Sequence, residues 1–451
     1  MKPITKSFLL ILLFVQFAKA QENKQNAYSL QQAIEYSLKN SPMYLNAELD
    51  YQSADARRKE ITGIGLPQIN GSIDVKDYIN IPTSLLPAQI FGGPAGSFIP
   101  VKFGTKYNAT AGFSASQLIF NSDYIFGLQA SKAYMDLAQT NVYKSKTDLA
   151  AGITKAYLGY VITKERQKML EENVRRTKTM YETTKALNQQ GFAELLDLQR
   201  SEVDYNNAVV ERDKNQRGLA NIEALLKLQM GLAISEPIIL TDTLNVDNGD
   251  MQELAMKADY SKRPDFMALQ GTQKLLDLDV KRLKYGYLPT LAAYGSYQFN
   301  AQRNTFNLLQ FDKNDQTKQW FKIALVGVQL NVNIFDGLQR NYKIQQAQIA
   351  ALKNQNTMKM VALNAESEIL TSSINFSSAY QNLQNQKKTL ATAQNVYDAA
   401  VKKYQSGVGT NLEIVFAQSQ LTASQLSYFA ALYDLTIAKT DYLKATGTLI
   451  K

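Results

Sequence analysis

The sequence contains neither cysteine nor histidine. The side chains that most often do covalent or acid–base chemistry near neutral pH are therefore missing. Thiol nucleophiles, disulfides, Cys/His zinc sites and imidazole catalysis fall together. So does a lipid anchor attached through cysteine. What remains is carboxylate chemistry from 40 acidic residues. A glycosidase needs only two carboxylates, but no acidic pair here falls on a framework of pocket-forming loops. No catalytic residue, metal ligand or cofactor is assigned, and the chain is read as something other than an enzyme.

The N-terminus reads as an export signal. Lys2 and Lys6 form a basic start, Phe8 to Phe17 an apolar core, and Ala18-Lys19-Ala20 a small-x-small cleavage pattern. Residues 1–20 are therefore expected to be a signal peptide, with the mature chain starting at Gln21. Removing Lys2, Lys6 and Lys19 leaves 46 basic against 40 acidic residues, a net charge of +6. That surplus is mild and contains no dense Lys/Arg run, so nucleic acid is not an expected partner. Beyond residue 20 no stretch approaches the roughly 20 apolar residues of a transmembrane helix. An exported chain of this kind is periplasmic, secreted, or inserted as a β-barrel.

The 451 residues read twice. Pro42 precedes Pro67 by 25 residues, and Pro264 precedes Pro289 by the same interval, at an offset of 222. Leu118-Ile119-Phe120-Asn121 answers Val332-Asn333-Ile334-Phe335-Asp336 at offset 215. Gly191 followed by Leu196-Asp197-Leu198 answers Gly407 followed by Leu412-Glu413-Ile414 at 216, as Met230-Gly231 answers Thr446-Gly447. Five ordered matches with one length change indicate a tandem repeat of about 220 residues.

Each repeat predicts a helix, two strands, a very long helix, a turn and a further helix. The first repeat, 21–231, holds a helical start capped by Ser29 and Gln32 and a helix restarted at Pro42. Strands follow at 66–79 and 106–120, then helices at 123–188 and 192–231. A linker at 232–251 leads to the second repeat, 252–451. There the pattern gives a helix at 252–285, strands at 288–302 and 320–335, and helices at 337–404 and 411–447. Apolar residues alternate with polar ones along all four strands, as in Ile69, Ile73 and Val75 against Asn70, Ser72 and Asp74. Tilted barrel strands of about 9–11 residues have this pattern; a soluble sandwich with one buried face shares it. Residues 80–105, rich in proline and glycine, and the polar 302–319 predict long loops at one end of the strands. Asn121-Ser122-Asp123 and Asp336-Gly337 give tight passage into helices at the other. Tyr78, Tyr107, Trp320 and Phe321 fall near the loop end, where an interfacial aromatic girdle belongs.

No proline interrupts the 66 residues from Asp123 to Asn188 or the 68 from Gly337 to Tyr404. At about 1.5 Å per residue each helix is about 100 Å long. Ile369, Phe376, Leu383, Leu390, Tyr397 and Tyr404 recur every seven residues, with small or polar residues between them. Ile414, Leu421, Tyr428, Leu435 and Tyr442 do the same against Ala417, Ser424, Ala431, Ala438 and Ala445. Large residues opposite small ones permit close helix approach in a coiled coil.

Four strands leave two edges exposing unpaired backbone to lipid, so closure needs several copies. Two give eight strands, filled by side chains; three give twelve, wide enough to enclose water. Three copies also supply twelve helical rods, enough to continue the barrel as a hollow tube.

The tandem repeat and the turn Gly407-Val408-Gly409-Thr410-Asn411-Leu412-Glu413-Ile414 resemble the TolC family of outer-membrane efflux proteins. So do the Ser29-Leu30-Gln31-Gln32-Ala33-Ile34 start and the closing Ala445-Thr446-Gly447. The resemblance covers essentially the whole mature chain. It implies an α+β membrane protein: a homotrimeric, twelve-stranded transmembrane β-barrel in the outer membrane lipid, continued by an antiparallel coiled-coil tunnel in the periplasm. Its implied partners are a periplasmic adaptor (membrane fusion) protein and an inner-membrane efflux pump or ABC exporter. Family members commonly narrow the periplasmic end with two acidic residues a turn apart. By motif the matching positions are Glu413 and Phe416, so only one is acidic, and placing it needs a two-residue shift from the Val408-Gly409-Thr410 anchor. A mixed carboxylate and aromatic gate is the corresponding expectation, with a simple N-terminal charge preference of the helix as the alternative for Glu413. Adaptor docking is expected at the turns, Gln190, Gly191 and Phe192, and Ser406, Gly407 and Val408. The competing function is a periplasmic coiled-coil adaptor or scaffold without a barrel.

Overall fold

The computed structural model describes residues 27–243, 259–310, 312 and 314–450. The expected signal peptide, the Gln21 start and residues 244–258 around the inter-repeat linker lie outside them. In chain order the elements are β1 (Ala27–Tyr28), α1 (Leu30–Asn40), α2 (Pro42–Ile64), β2 (Gln68–Asp77), β3 (Thr83–Pro87), β4 (Phe98–Lys102) and β5 (Tyr107–Phe120). Then come α3 (Ser122–Gln189), α4 (Leu195–Met230), β6 (Ile239–Leu240), α5 (Pro264–Tyr285), β7 (Thr290–Arg303), β8 (Phe321–Asn331), α6 (Gln339–Gln405) and α7 (Asn411–Ala445). Among the described residues no helix is long and apolar enough to cross a membrane.

Several bounds differ from the sequence expectation for local reasons. β2 begins after Pro67, which has no N–H for a ladder, and β8 stops at Asn331, the partner of Thr290 at the start of β7. Of the helix expected at 252–285, residues 252–258 lie outside the described residues; beyond them a 3-10 turn at Tyr260–Lys262 leads into a helix starting at Pro264, and proline suits the first helical position because its missing N–H has no intrahelical partner there. α4 starts three residues late because Phe192 to Glu194 complete the turn. Residues 80–105, expected as open loop, contain the antiparallel β3–β4 hairpin, with Leu85 opposite Pro100.

The chain divides into two compact units. One holds the ends of α2, α3, α5 and α6 and an antiparallel sheet in the order β2-β5-β7-β8. Its register sorts the side chains by face. Ile69, Ala115, Gly295 and Val326 form one cross-strand row, and Ile73, Ala111 and Phe299 another. The opposite face carries rows such as Asn70-Ser114-Ser296 and Asp74-Thr110-Asn300. At the loop end Leu308 packs on Ala109 and Ala301, with Tyr107 and Trp320 against them. Elsewhere the apolar face is bare: Val326 is 90% exposed. Both edge strands, β2 and β8, are exposed along almost their whole length. At the other end, Tyr124 Oη donates to Thr62 O, and Gln117 Nε2 to Gly65 O. A Cβ at Gly65 would run into the Tyr124 ring, so glycine is needed at that junction.

The second unit contains α1, most of α3 and α6, all of α4 and α7, and the parallel pair β1–β6. Ser29 and Gln32 form a reciprocal capping box at the start of α1. Ala33, Ile153, Tyr157, Leu226, Met230 and Leu240 build one core. Phe376, Leu383, Leu432, Leu435 and Tyr442 build another, joining α6 to α7. Along α7, Ile414, Leu421, Leu435 and Tyr442 are buried, with Ala417, Ser424, Ala431 and Ala445 buried between them. Seven-residue spacing keeps one helix face inward, and the small residues let the next helix approach. Two buried amide pairs interrupt these layers: Asn173 Nδ2 donates to Gln425 Oε1 at 2.9 Å, and Asn215 Nδ2 to Gln167 Oε1 at 2.9 Å. Buried amides of this kind fix register, because sliding one helix would leave them unpaired.

Candidate gate and docking tips

The two helix–helix turns are built alike. After α3, Gly191 takes φ +79° and Phe192 N donates back to Leu187 O at 2.9 Å. After α6, Gly407 takes φ +76° and Val408 N donates to Lys403 O at 3.1 Å. Both are Schellman closures, in which a left-handed residue returns the chain to the helix's last carbonyls. Glycine is required because side chains disfavour that conformation. In such closures the residue after glycine often packs back on the helix. Here Phe192 and Val408 are each 79% exposed instead. Gln190 and Ser406 beside them are exposed as well.

Thr410 caps α7, its hydroxyl accepting from Glu413 N at 3.3 Å. Glu413 is exposed in the first turn, and Phe416, three residues on, is 66% exposed. Residues three apart on a helix are neighbours, so the carboxylate and ring share one exposed side of α7. Asn411, Ile414, Ala417 and Gln418 occupy the buried side. The structure thus brings Glu413 and Phe416 together and keeps both out of the core.

Sequence reasoning missed the polar residues inside the helix pairs. Asn173 and Asn215 are ordinary members of long helical patterns, and only their burial reveals their role. Arg176 is likewise hidden in the sequence; its guanidinium lies 5.3 Å from the centre of the Tyr397 ring. A cation over an aromatic face was visible only after α3 and α6 were placed side by side. Among the described residues no group of three or more acidic side chains is arranged to hold a metal ion.

Residues 260–448 match the outer membrane efflux protein family. The chain is 23% identical over 351 residues to the probable efflux pump outer membrane protein TtgC of Pseudomonas putida, covering 76% of this chain and 69% of that one. It is 18% identical over 345 residues to the outer membrane protein TolC of Vibrio cholerae, covering 75% and 77%. Its fold is shared with the crystal structure of the outer membrane protein VceC of Vibrio cholerae, with a TM-score of 0.71, 14% identity, and coverage of 93% of this chain and 96% of that one. With its paired-strand sheet, its uninterrupted helices and its glycine-closed turns, the chain is similar in sequence and fold to the TolC family of outer-membrane efflux proteins.

Proposed function

We propose that this protein is the outer-membrane channel-tunnel of a tripartite efflux or type I secretion system. It passively conducts substrates handed over by an inner-membrane pump and a periplasmic adaptor. The observation that carries this reading is the four-stranded sheet with one bare apolar face and two open edges. Water does not tolerate such a face and lipid does not tolerate such edges. Both demands are met when β2 of one copy pairs with β8 of the next and the ring closes in a membrane. Three copies give twelve strands and the polar face then lines an aqueous passage. The repeated order of elements reflects a tandem duplication, and the heptad-spaced layers of α6 and α7 are those of a coiled coil. Phe192 and Val408, exposed at the turns, supply apolar contacts for an adaptor, and Glu413 with Phe416 forms the narrow periplasmic mouth.

Purification in mild detergent followed by native mass measurement and planar-bilayer recording tests the reading. A trimer forming ion-conducting pores is expected. A detergent-free soluble monomer without pore activity would favour the coiled-coil adaptor and overturn the channel.

A further inference from the structure

Near the turns, α3, α4, α6 and α7 line a half-open cavity of about 400 Å³. Arg176 and Met180 reach it from α3, Asp204 from α4, Tyr397 and Val401 from α6, and Gln418 from α7. That volume is within the range of pockets for drug-sized molecules.

Two buried polar atoms in its wall have no partner, and a half-buried carboxylate stands with them. Gln418 is 8% exposed; its Nε2 donates to Thr422 Oγ1 at 3.0 Å, but its Oε1 accepts nothing. Arg176 bonds Asn173 through Nη2, yet its buried Nε has no partner. Asp204 makes no hydrogen bond or ion pair among the described residues, and burial pushes its carboxyl above the ordinary range. The amide pairs Asn173–Gln425 and Asn215–Gln167 show how the same helices satisfy buried polar groups where nothing else needs them. A half-buried, unpaired carboxylate and an unused buried amide oxygen on one cavity wall cost stability. Such an arrangement is a mark of a binding site.

We propose that this cavity binds a small lipophilic amine. The ammonium is held by the Asp204 carboxylate and Gln418 Oε1, and the apolar body lies against Met180, Tyr397 and Val401. A carbonyl or ether oxygen on the same molecule meets Arg176 Nε. An anion would meet the Arg176 guanidinium, but it would face the Asp204 carboxylate and leave Gln418 Oε1 unmatched, and Arg175 in the same wall is already paired with Glu172. A purely apolar molecule would leave Gln418 Oε1 and Arg176 Nε unmatched and cover the Asp204 carboxylate. Because the walls come from both helix pairs, α3 with α4 and α6 with α7, an occupant ties the pairs together.

The test uses the full-length protein in detergent micelles. Fluorescence anisotropy follows binding of a dansyl-tagged alkylamine and of its N-acetylated, uncharged counterpart. The amine is expected to bind at least about tenfold more tightly than the acetylated form, since a hydrogen bond to a charged group is worth about that much. Asp204→Asn should remove that preference while retaining the fold, which thermal unfolding checks. Val401→Trp, which fills the cavity, should abolish saturable binding of the amine. Equal affinity for the two probes, an unchanged preference in Asp204→Asn, or undiminished binding in Val401→Trp overturns the proposal.

Discussion

Phe376 of α6 and Tyr442 of α7 stack with ring centres 5.8 Å apart and planes inclined by 20°. Both rings are almost fully buried, so this layer fixes the distance between the two helices. Phe376→Ala is expected to cost about 3–5 kcal/mol through the cavity left behind. Ala431→Leu, which overfills a neighbouring small layer, should cost about 1–3 kcal/mol, and Ala438→Leu less, because Ala438 is only half-buried. Leu370→Ala, at an exposed position on α6, serves as the reference and should leave stability nearly unchanged. Thermal unfolding followed by circular dichroism ranks the four variants.

Tyr157 links three segments through one hydroxyl. It donates to Tyr28 O at 2.8 Å and accepts from Asp242 N at 3.3 Å. Tyr157→Phe leaves the Asp242 amide without its acceptor, while Tyr28 O keeps the Thr241 N–H at 3.1 Å, and should cost about 1–3 kcal/mol. Hydrogen exchange should rise around residues 27–30 and 239–242. Burial, ahead of the Asp242 interactions, pushes the phenol up to about 12 from 10.0. A raised phenol contributes stability that is complete below pH 10 and lost as the pH climbs through the folded value. The wild type should therefore lose more stability than Tyr157→Phe between pH 10 and about 12.

Asp204 gives the opposite design of experiment, because its removal should help. Its carboxyl is raised by desolvation above 3.8, so the folded state holds the proton more tightly than the unfolded chain. The favourable contribution is complete below pH 3.8 and disappears as the pH rises through the folded value. Above it, the ionised carboxylate weighs against folding. Asp204→Asn should then be more stable than the wild type at neutral pH, with the gap closing on acidification. Chemical unfolding at several pH values checks the sign.

At the mouth, Phe416→Ala should raise single-channel conductance by removing an apolar ring. Glu413→Gln should lower cation preference without widening the pore. Planar-bilayer recordings separate the two effects. Unaltered conductance and selectivity in both variants would place the constriction elsewhere.

The sequence spoke most clearly where a single period governs a long segment. The inward stripe of α7, from Ile414 to Tyr442, could be read directly because seven-residue spacing is a one-dimensional signal. The row of Ile69, Ala115, Gly295 and Val326 could not, although each strand showed its alternation, because register is a property of pairs. The β3–β4 hairpin was hidden by its prolines, which usually argue against strands; Pro87 and Pro100 are tolerated because a two-stranded ribbon has free edges. The cavity wall was the least legible of all. Arg176, Asp204, Tyr397 and Gln418 come from four helices, and nothing in their separate patterns announces that they meet.

The 68 residues of α3 and 67 of α6 form unbroken helices whose inward faces repeat every seven positions. Deleting two residues from one of them would turn every later side chain by about 200°, onto the opposite face, and separate Asn173 from Gln425. Removing seven would return each side chain to its stripe, but only if the facing helices lost the same length. Change in these proteins is thus quantised: lineages adapting to a thicker or thinner cell envelope would have to gain or lose coordinated segments of about 10 Å.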